Sequence, residues 1–266
     1  MELSKLLSHL WQQYVHESPQ ALEIYNLFKT QGERVVNDHI AIRTFDDERV
    51  NIKHLASFFE NLGYVECSRY EFVEKKLHAK HYENKLDPEQ PKIFISELKT
   101  NEFSEFLQQK VKECIDKIPR NMLNTIDLLY SGESWGELDY EVYKKILSES
   151  EYAGWMYVFG YRANHFTISV NKLTHFDSLV AVNDFLKQNR YTLNSSGGEI
   201  KGTQEELLEQ SSTMANKVSV KFKQGVFEVY NSYYEFAKRY PQEDGSLYQG
   251  FISKSADKIF ESTNAS

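Results

Sequence analysis

The chain has 266 residues and a net charge of −8, from 31 Lys and Arg against 39 Asp and Glu. An acidic chain without a basic run argues against a nucleic-acid groove, and no apolar run approaches the roughly 20 residues that span a membrane. The amino-terminal residues are too polar for a signal peptide, and Cys67 and Cys114 are too few for a disulfide framework. We therefore expect a soluble, cytoplasmic protein with no nucleic-acid or membrane partner.

The first part of the chain changes from helical to strand periodicity. Residues 1–32 repeat apolar side chains at three- and four-residue steps, as helices do. Residues 38–45 then alternate with the period of two that is typical of strands, and residues 51–62 again predict a helix. Three further strand-like runs follow, at 64–72, 76–82 and 92–98.

The middle of the chain is mostly helical, and the first pattern then returns. Residues 102–160 predict helices, with a short strand at 155–159. Residues 163–170 alternate like the first strand, and residues 177–189 predict a helix. The strands predicted after this helix are 217–222 and 227–236, with a weaker one within 192–200.

The two opening strands share local sequence, because residues 38–42 read DHIAI and residues 164–168 read NHFTI. An internal repeat of this kind predicts two copies of one structural unit. We expect an α+β fold in which two βαβββ modules form a sheet or barrel around one cavity, with amino-terminal helices and a helical insertion. A short helix near residues 251–260 would either close the cavity or pack permanently on the barrel. The predicted divisions are a single domain 1–266, modules 36–98 and 161–240, insertion 99–160 and carboxyl-terminal segment 241–266.

The chemistry-bearing residues fall at matching places in this repeat. Period two puts His39 and Arg43 on the same face of the first strand, and His165 takes the place of His39 in the second module. Glu235 lies within an aromatic run, where a carboxylate needs a partner. Two imidazoles and one carboxylate form a facial triad that holds a divalent metal with open positions. Glu228, on the opposite face of the predicted strand, is the alternative carboxylate.

Arg43 has two interpretations. A guanidinium offers planar, bidentate hydrogen bonds to a carboxylate, so that Arg43 would anchor a small acid whose other end reaches the metal. It would otherwise pair with Asp38 or another carboxylate of the protein. His78 and His81 are three residues apart in a predicted strand, so their side chains point to opposite faces and would not share a metal.

Short motifs carry a resemblance to known families. The two-module layout resembles the vicinal oxygen chelate superfamily, and residues 234–239, YEFAKR, are similar to the ending of 4-hydroxyphenylpyruvate dioxygenases. More narrowly, residues 38–44, DHIAIRT, together with residues 164–167, NHFT, resemble the 2-oxoadipate dioxygenase/decarboxylase family, also called 2-hydroxyglutarate synthases. This chain is shorter than the characterised members of that family.

This resemblance implies specific roles. His39, His165 and Glu235 would bind Fe(II), with Zn²⁺, Ni²⁺ or Mn²⁺ able to occupy the site in purified protein, and Arg43 would bind the substrate carboxylate. The implied reaction is the O₂-dependent conversion of 2-oxoadipate, from lysine breakdown, into 2-hydroxyglutarate and CO₂.

Two other functions stay open. A redox-neutral lyase, isomerase or hydrolase could use the same metal site as a Lewis acid, and a binding protein could hold a metal or a small acid without turnover. The oligomeric state cannot be predicted from the sequence.

Overall fold

The structure, a computed structural model, describes residues 2–253. Helices α1 (Leu3–Glu17) and α2 (Pro19–Thr30) open the chain. The apolar face of α1 buries Leu6, Leu10 and Tyr14, and the helix packs against a central strand of the sheet. Among residues 2–253, none of the helices has the length and the apolar character needed to cross a bilayer.

The first module has the predicted order of elements. Its helix begins after Asn51, whose side-chain oxygen accepts a hydrogen bond from the backbone N–H of His54, the usual form of an N-cap. The helix packs against the sheet through Leu55 and Phe59, both fully buried. The elements are β1 (Asn37–Phe45), α3 (Ile52–Glu60), β2 (Tyr64–Phe72), β3 (Leu77–Asn84) and β4 (Lys92–Leu98).

The insertion is mostly helical, as predicted, but the short strand predicted at residues 155–159 is wrong. These residues belong to a helix that begins after Ser150, whose hydroxyl accepts a hydrogen bond from the N–H of Ala153. Eight of the nine residues of this helix are buried, and an apolar run without periodicity does not distinguish a buried helix from a buried strand. The helices are α4 (Glu105–Lys117), α5 (Arg120–Leu123), α6 (Tyr140–Glu149) and α7 (Glu151–Phe159).

The second module repeats the first with a hairpin added. The single strand predicted at 227–236 is wrong, because two strands cover this stretch and the residues between them leave the sheet. The side-chain amide of Asn231, between these strands, donates to the carbonyl of Glu17. Residues 192–200 contain no strand beyond an isolated bridge at Leu193. The elements are β5 (Ala163–Ser169), α8 (Leu179–Gln188), β6 (Lys201–Thr203), β7 (Leu208–Ser212), β8 (Lys217–Phe222), β9 (Gly225–Tyr230) and β10 (Glu235–Arg239).

Within residues 2–253, eight strands form one sheet in the order β2-β3-β4-β1-β5-β10-β7-β6, while β8 and β9 pair only with each other. The modules join at the centre, where β1 runs antiparallel to β5 and His39 and Ala41 lie opposite Thr167 and His165. Strands β4 and β10 run parallel to β1 and β5, respectively. The predicted α+β fold with two βαβββ modules is confirmed, but β6 and β7, which were not predicted, complete the second module together with β10. The strand predicted at residues 217–222 is present as β8 and lies outside the eight-stranded sheet.

Candidate metal centre

Three side chains from neighbouring strands meet in the described part of the chain. His39 lies on β1, His165 on β5 and Glu235 at the start of β10. One carboxylate oxygen of Glu235 lies 3.4 Å from Nε2 of His39, and the other lies 3.1 Å from Nε2 of His165. One possible ligand atom from each residue lies within 4.8 Å of the other two, and all three side chains are buried. The structure therefore brings together the predicted His₂Glu set.

The outer nitrogen of each imidazole is held by the residue that precedes it. Nδ1 of His39 donates to Oδ1 of Asp38 over 2.8 Å, and Nδ1 of His165 donates to Oδ1 of Asn164 over 2.9 Å. A carboxylate only accepts hydrogen bonds, so the proton of a neutral His39 lies on Nδ1 and its Nε2 carries a lone pair. Metal-binding histidines commonly have such a partner, which fixes the tautomer and the ring orientation.

Asp38 is in turn held by a buried arginine. Nε and Nη2 of Arg239 donate to the two carboxylate oxygens of Asp38 over 2.7 and 2.8 Å. Burial by itself raises the pKa of Asp38, but Arg239 and His39 outweigh this effect and hold the pKa well below its usual range. Nη1 of Arg239 also donates to the carbonyls of Tyr248 and Gly250, which ties the carboxyl-terminal segment to the same pair.

The electrostatics of the three residues favour a bound cation. Burial lowers the pKa of His165, although Glu235 opposes this effect. The lowered pKa favours the neutral imidazole that a metal requires. Burial alone would raise the pKa of Glu235, but the nearby His39 and His165 bring it below the usual value. The amide of Gln210 also donates to Glu235 over 2.6 Å. An ionised carboxylate between two imidazole nitrogens fits a divalent transition metal, for which this donor set is common.

Arg43 lies in the same cavity, as its register on β1 predicted. The side chain is buried, and its guanidinium lies 4.8 Å from the ring centre of Tyr152 and 5.0 Å from that of Trp155. Both rings come from α7, so the insertion supplies one wall around Arg43. Burial lowers the pKa of Arg43, and an anion beside the guanidinium would reverse this effect. Arg43 does not pair with Asp38, whose carboxylate binds Arg239.

Aromatic rings form much of the remaining wall of this cavity, whose space of about 380 Å³ includes the part that is open to solvent. Tyr233 stacks on His165 with ring centres 4.5 Å apart, and Phe251 meets His39 edge-on at 4.8 Å. The backbone N–H of Phe251 donates to the hydroxyl of Tyr70 over 3.1 Å, and its ring also packs on Phe94. Phe251 thus covers the cavity, while most of the helix predicted near residues 251–260 lies outside the described residues.

The structure separates the two carboxylates proposed from sequence. Glu228 lies on β9 and is exposed, with its carboxylate bound to the hydroxyl of Ser219. Sequence reasoning also missed Gln210, whose short polar strand gave no periodic signal, and the part played by the residue before each histidine. The second of these was readable, because Asp38 and Asn164 precede the histidines at equivalent points of the repeat.

A second group of possible metal ligands lies at the edge of the sheet. Cys67, His81 and Glu83 offer atoms within 4.8 Å of one another. Lys85 already donates to Glu83 over 3.0 Å, so an ammonium lies where a cation would bind. His78 contacts Glu97 at 3.2 Å instead of sharing a site with His81. This group therefore resembles an ion-pair cluster more than a metal centre.

Comparisons with known proteins agree with this geometry. The sequence profile of the HGLS family, 2-oxoadipate dioxygenase/decarboxylase, matches residues 2–246. The chloroplastic/amyloplastic 2-oxoadipate dioxygenase/decarboxylase of Oryza sativa is 34% identical, over 97% of this chain and 78% of the rice protein.

Solved structures give the same relationship. The rice hydroxyglutarate synthase, solved in complex with 2-oxoadipate, superposes with a TM-score of 0.91 at 33% identity, over 97% of this chain and 91% of its own. A Shewanella frigidimarina protein described as a hydrolase superposes with a TM-score of 0.89 at 47% identity, over 95% and 98% of the two chains. The chain belongs to the 2-oxoadipate dioxygenase/decarboxylase family.

Proposed function

We propose that this protein is an Fe(II)-dependent dioxygenase that converts 2-oxoadipate and O₂ into 2-hydroxyglutarate and CO₂. In this reaction C1 of the substrate leaves as CO₂. One oxygen atom of O₂ enters the new carboxylate and the other enters the hydroxyl group, so that all atoms are accounted for. When bound, Fe(II) supplies open coordination positions and the redox chemistry that activates O₂.

The observation that carries this proposal is one cavity with a metal-type donor set and a buried guanidinium. His39, His165 and Glu235 supply two neutral nitrogens and one negative charge, which suits a divalent ion. Arg43 shares the cavity and can bind a carboxylate by two parallel hydrogen bonds. A dicarboxylic 2-oxo acid has the two ends that such a cavity would recognise.

The remaining residues have supporting roles in the proposed reaction. Asp38 and Asn164 keep the Nε2 atoms of the two histidines directed at the ion. The rings of Phe94, Tyr233 and Phe251 exclude water from the reacting groups, which strengthens the attraction of Arg43 for a carboxylate. The polar residues of this group thus orient the metal ligands, and the aromatic residues exclude water.

The proposal extends to the origin of the substrate, the compartment of the enzyme and its domain organisation. We propose that the substrate arises in lysine breakdown and that the enzyme works in the cytoplasm. We also propose that residues 1–266 act as one domain, which the single sheet running through both modules supports.

The test is anaerobic reconstitution with Fe(II), followed by measurement of O₂ uptake, CO₂ release and products with 2-oxoadipate. We expect stoichiometric O₂ uptake, CO₂ and 2-hydroxyglutarate. Uptake with a different 2-oxo acid would retain the mechanism and change the substrate. Retained metal with no O₂ uptake for any 2-oxo acid would refute the proposal and favour redox-neutral lyase, isomerase or hydrolase chemistry.

Two variants separate the metal from the substrate anchor. His165→Ala should lose stoichiometric metal, measured by elemental analysis after gel filtration. Arg43→Met should keep the metal and lose turnover of 2-oxoadipate. Full metal content in His165→Ala, or unchanged kinetics in Arg43→Met, would contradict the role given to that residue.

A further inference from the structure

A second cavity lies beside the Asp38–Arg239 pair and is distinct from the one that contains Arg43. The space between its walls is about 540 Å³, including the part that is open to solvent. Its walls come from the start of β1, the start of β4, the segment after β5 and the carboxyl-terminal segment. Asp38 and Arg239 contribute to one wall, and Leu247 and Gln249 contribute to another.

Lys92 is the unusual residue of this cavity. The residue is only 9% exposed, although lysine is seldom buried without a partner. Among residues 2–253, no ion pair within 4.0 Å and no hydrogen bond involves its ammonium. The other cations of the cavity are paired, since Lys172 contacts Glu89 at 2.6 Å and Arg239 binds Asp38.

The charges that line the cavity do not cancel. Lys92, Lys172 and Arg239 face two carboxylates, those of Asp38 and Glu89, which leaves one positive charge. Burial lowers the pKa of Lys92, the nearby Arg239 adds to this effect, and the more distant carboxylates of Asp38 and Glu83 oppose it. A bound anion would supply the missing counter-charge.

We propose that this cavity binds a small organic carboxylate, with the ammonium of Lys92 as its counter-ion. A single excess positive charge matches one carboxylate better than a phosphate dianion. Pro88 and Leu247 also line the cavity and offer apolar contacts for a short aliphatic chain. This site is separate from the proposed metal centre and requires no metal.

The experiment is calorimetric titration of the full-length protein with pentanoate, a five-carbon monocarboxylate that lacks a 2-oxo group. The titration uses the Arg43→Met background, which removes the guanidinium of the other cavity. We expect one pentanoate per chain and weaker binding as NaCl rises, because the attraction is partly electrostatic. Adding Lys92→Met should weaken binding about 10- to 100-fold, the usual effect of losing a hydrogen bond to a charged group.

Lys172→Met in the same background is the matched control. Its ammonium lines the same cavity but is half-exposed and already paired with Glu89, so binding should change less than about threefold. Lys92→Arg keeps the positive charge and should retain most of the binding. Circular dichroism and thermal unfolding would verify that every variant is folded, as expected when a buried cation becomes an apolar side chain of similar size.

Three results would overturn the proposal. The first is no pentanoate binding by the Arg43→Met protein. The second is equal affinity with and without Lys92. The third is equal weakening by Lys92→Met and Lys172→Met, which would indicate diffuse surface charge instead of a site built around Lys92. None of these results depends on turnover of 2-oxoadipate, so the proposal can fail while the proposed function stands.

Discussion

Asp38 links Arg239 to His39, and replacing Asp38 by Asn tests this link without changing the size of the side chain. The amide oxygen of the substituted side chain can still accept the hydrogen bond from Nδ1 of His39. The negative charge is lost, however, and Arg239 keeps its buried guanidinium, which is 3% exposed, without a counter-charge. We therefore expect the substitution to act on stability and on metal binding through two separate causes.

The size of each effect follows from the contacts. Removing one partner of a buried ion pair destabilises a protein by about 3–5 kcal/mol, and we expect Asp38→Asn to lower the free energy of unfolding by this amount. Loss of a charged partner behind a metal-binding histidine weakens metal affinity about 10- to 100-fold. We expect the lower end of that range, because an amide oxygen still orients the His39 ring.

Asn164→Ala is the matched control, because Asn164 holds His165 as Asp38 holds His39. Asn164 is neutral, and no ion pair depends on it, so this variant should lose only about 0.5–1.5 kcal/mol. Urea unfolding of the metal-free proteins measures stability, and competition with a chelator measures metal affinity. The double variant Asp38→Asn/Arg239→Gln should be destabilised by less than the sum of the two single variants, since it removes both charges.

Equal destabilisation by Asp38→Asn and Asn164→Ala would contradict the prediction for Asp38. Simply additive effects of Asp38→Asn and Arg239→Gln would contradict it as well. Either result would mean that the charge of Asp38 matters no more than the neutral hydrogen bond in the other module.

Three further predictions follow from single residues. Glu235→Gln should lose stoichiometric metal in elemental analysis while Glu228→Gln retains it, and the reverse result would exchange their roles. Burial raises the pKa of Glu97 from 4.5 to about 7, because the ionised carboxyl group is poorly solvated in the folded protein. The free energy of unfolding of the wild type therefore falls as the pH rises from about 4.5 to about 7. The free energy of unfolding in urea should therefore be about 2–3 kcal/mol higher for Glu97→Gln than for the wild type near pH 8, and the same for both near pH 4. Identical pH profiles of the two proteins would contradict this prediction. Gly160 has φ +64°, and a Cβ added at this position would overlap the backbone of Gly132. Gly160→Ala should therefore lower the melting temperature by about 5 °C or more, and an unchanged melting temperature would contradict this prediction.

The parts of the fold that sequence predicted well are those with strict local periodicity. Strands β1 and β5 alternate cleanly, and their matching histidines indicate the centre of the sheet from the sequence alone. Glu235 was recognisable because an ionised carboxylate in an aromatic run requires partners. In each case the information lies within a short run of neighbouring residues.

The parts that were missed depend on contacts between distant residues. Gln210 lies on β7, whose sequence LEQSS carries too few apolar residues to signal a strand, and its position comes from pairing with β10. Helix α7 is apolar on all sides because it is surrounded by protein, which removes the periodicity that would identify it. The placement of Phe251 depends on Arg239 binding the carbonyls of Tyr248 and Gly250.

The register of the sheet shows how a duplicated frame became asymmetric at a single position. Glu235 on β10 lies beside Thr167, two residues after His165, and Phe94 on β4 lies beside Ala41, two residues after His39. Phe94 therefore occupies in the first module the place that Glu235 occupies in the second. A carboxylate at both places would offer a metal two carboxylate ligands, one from each module. With a hydrocarbon ring in the first module, the ion proposed here would have a single carboxylate ligand, so that the side of the site next to Phe94 would be left for reactants.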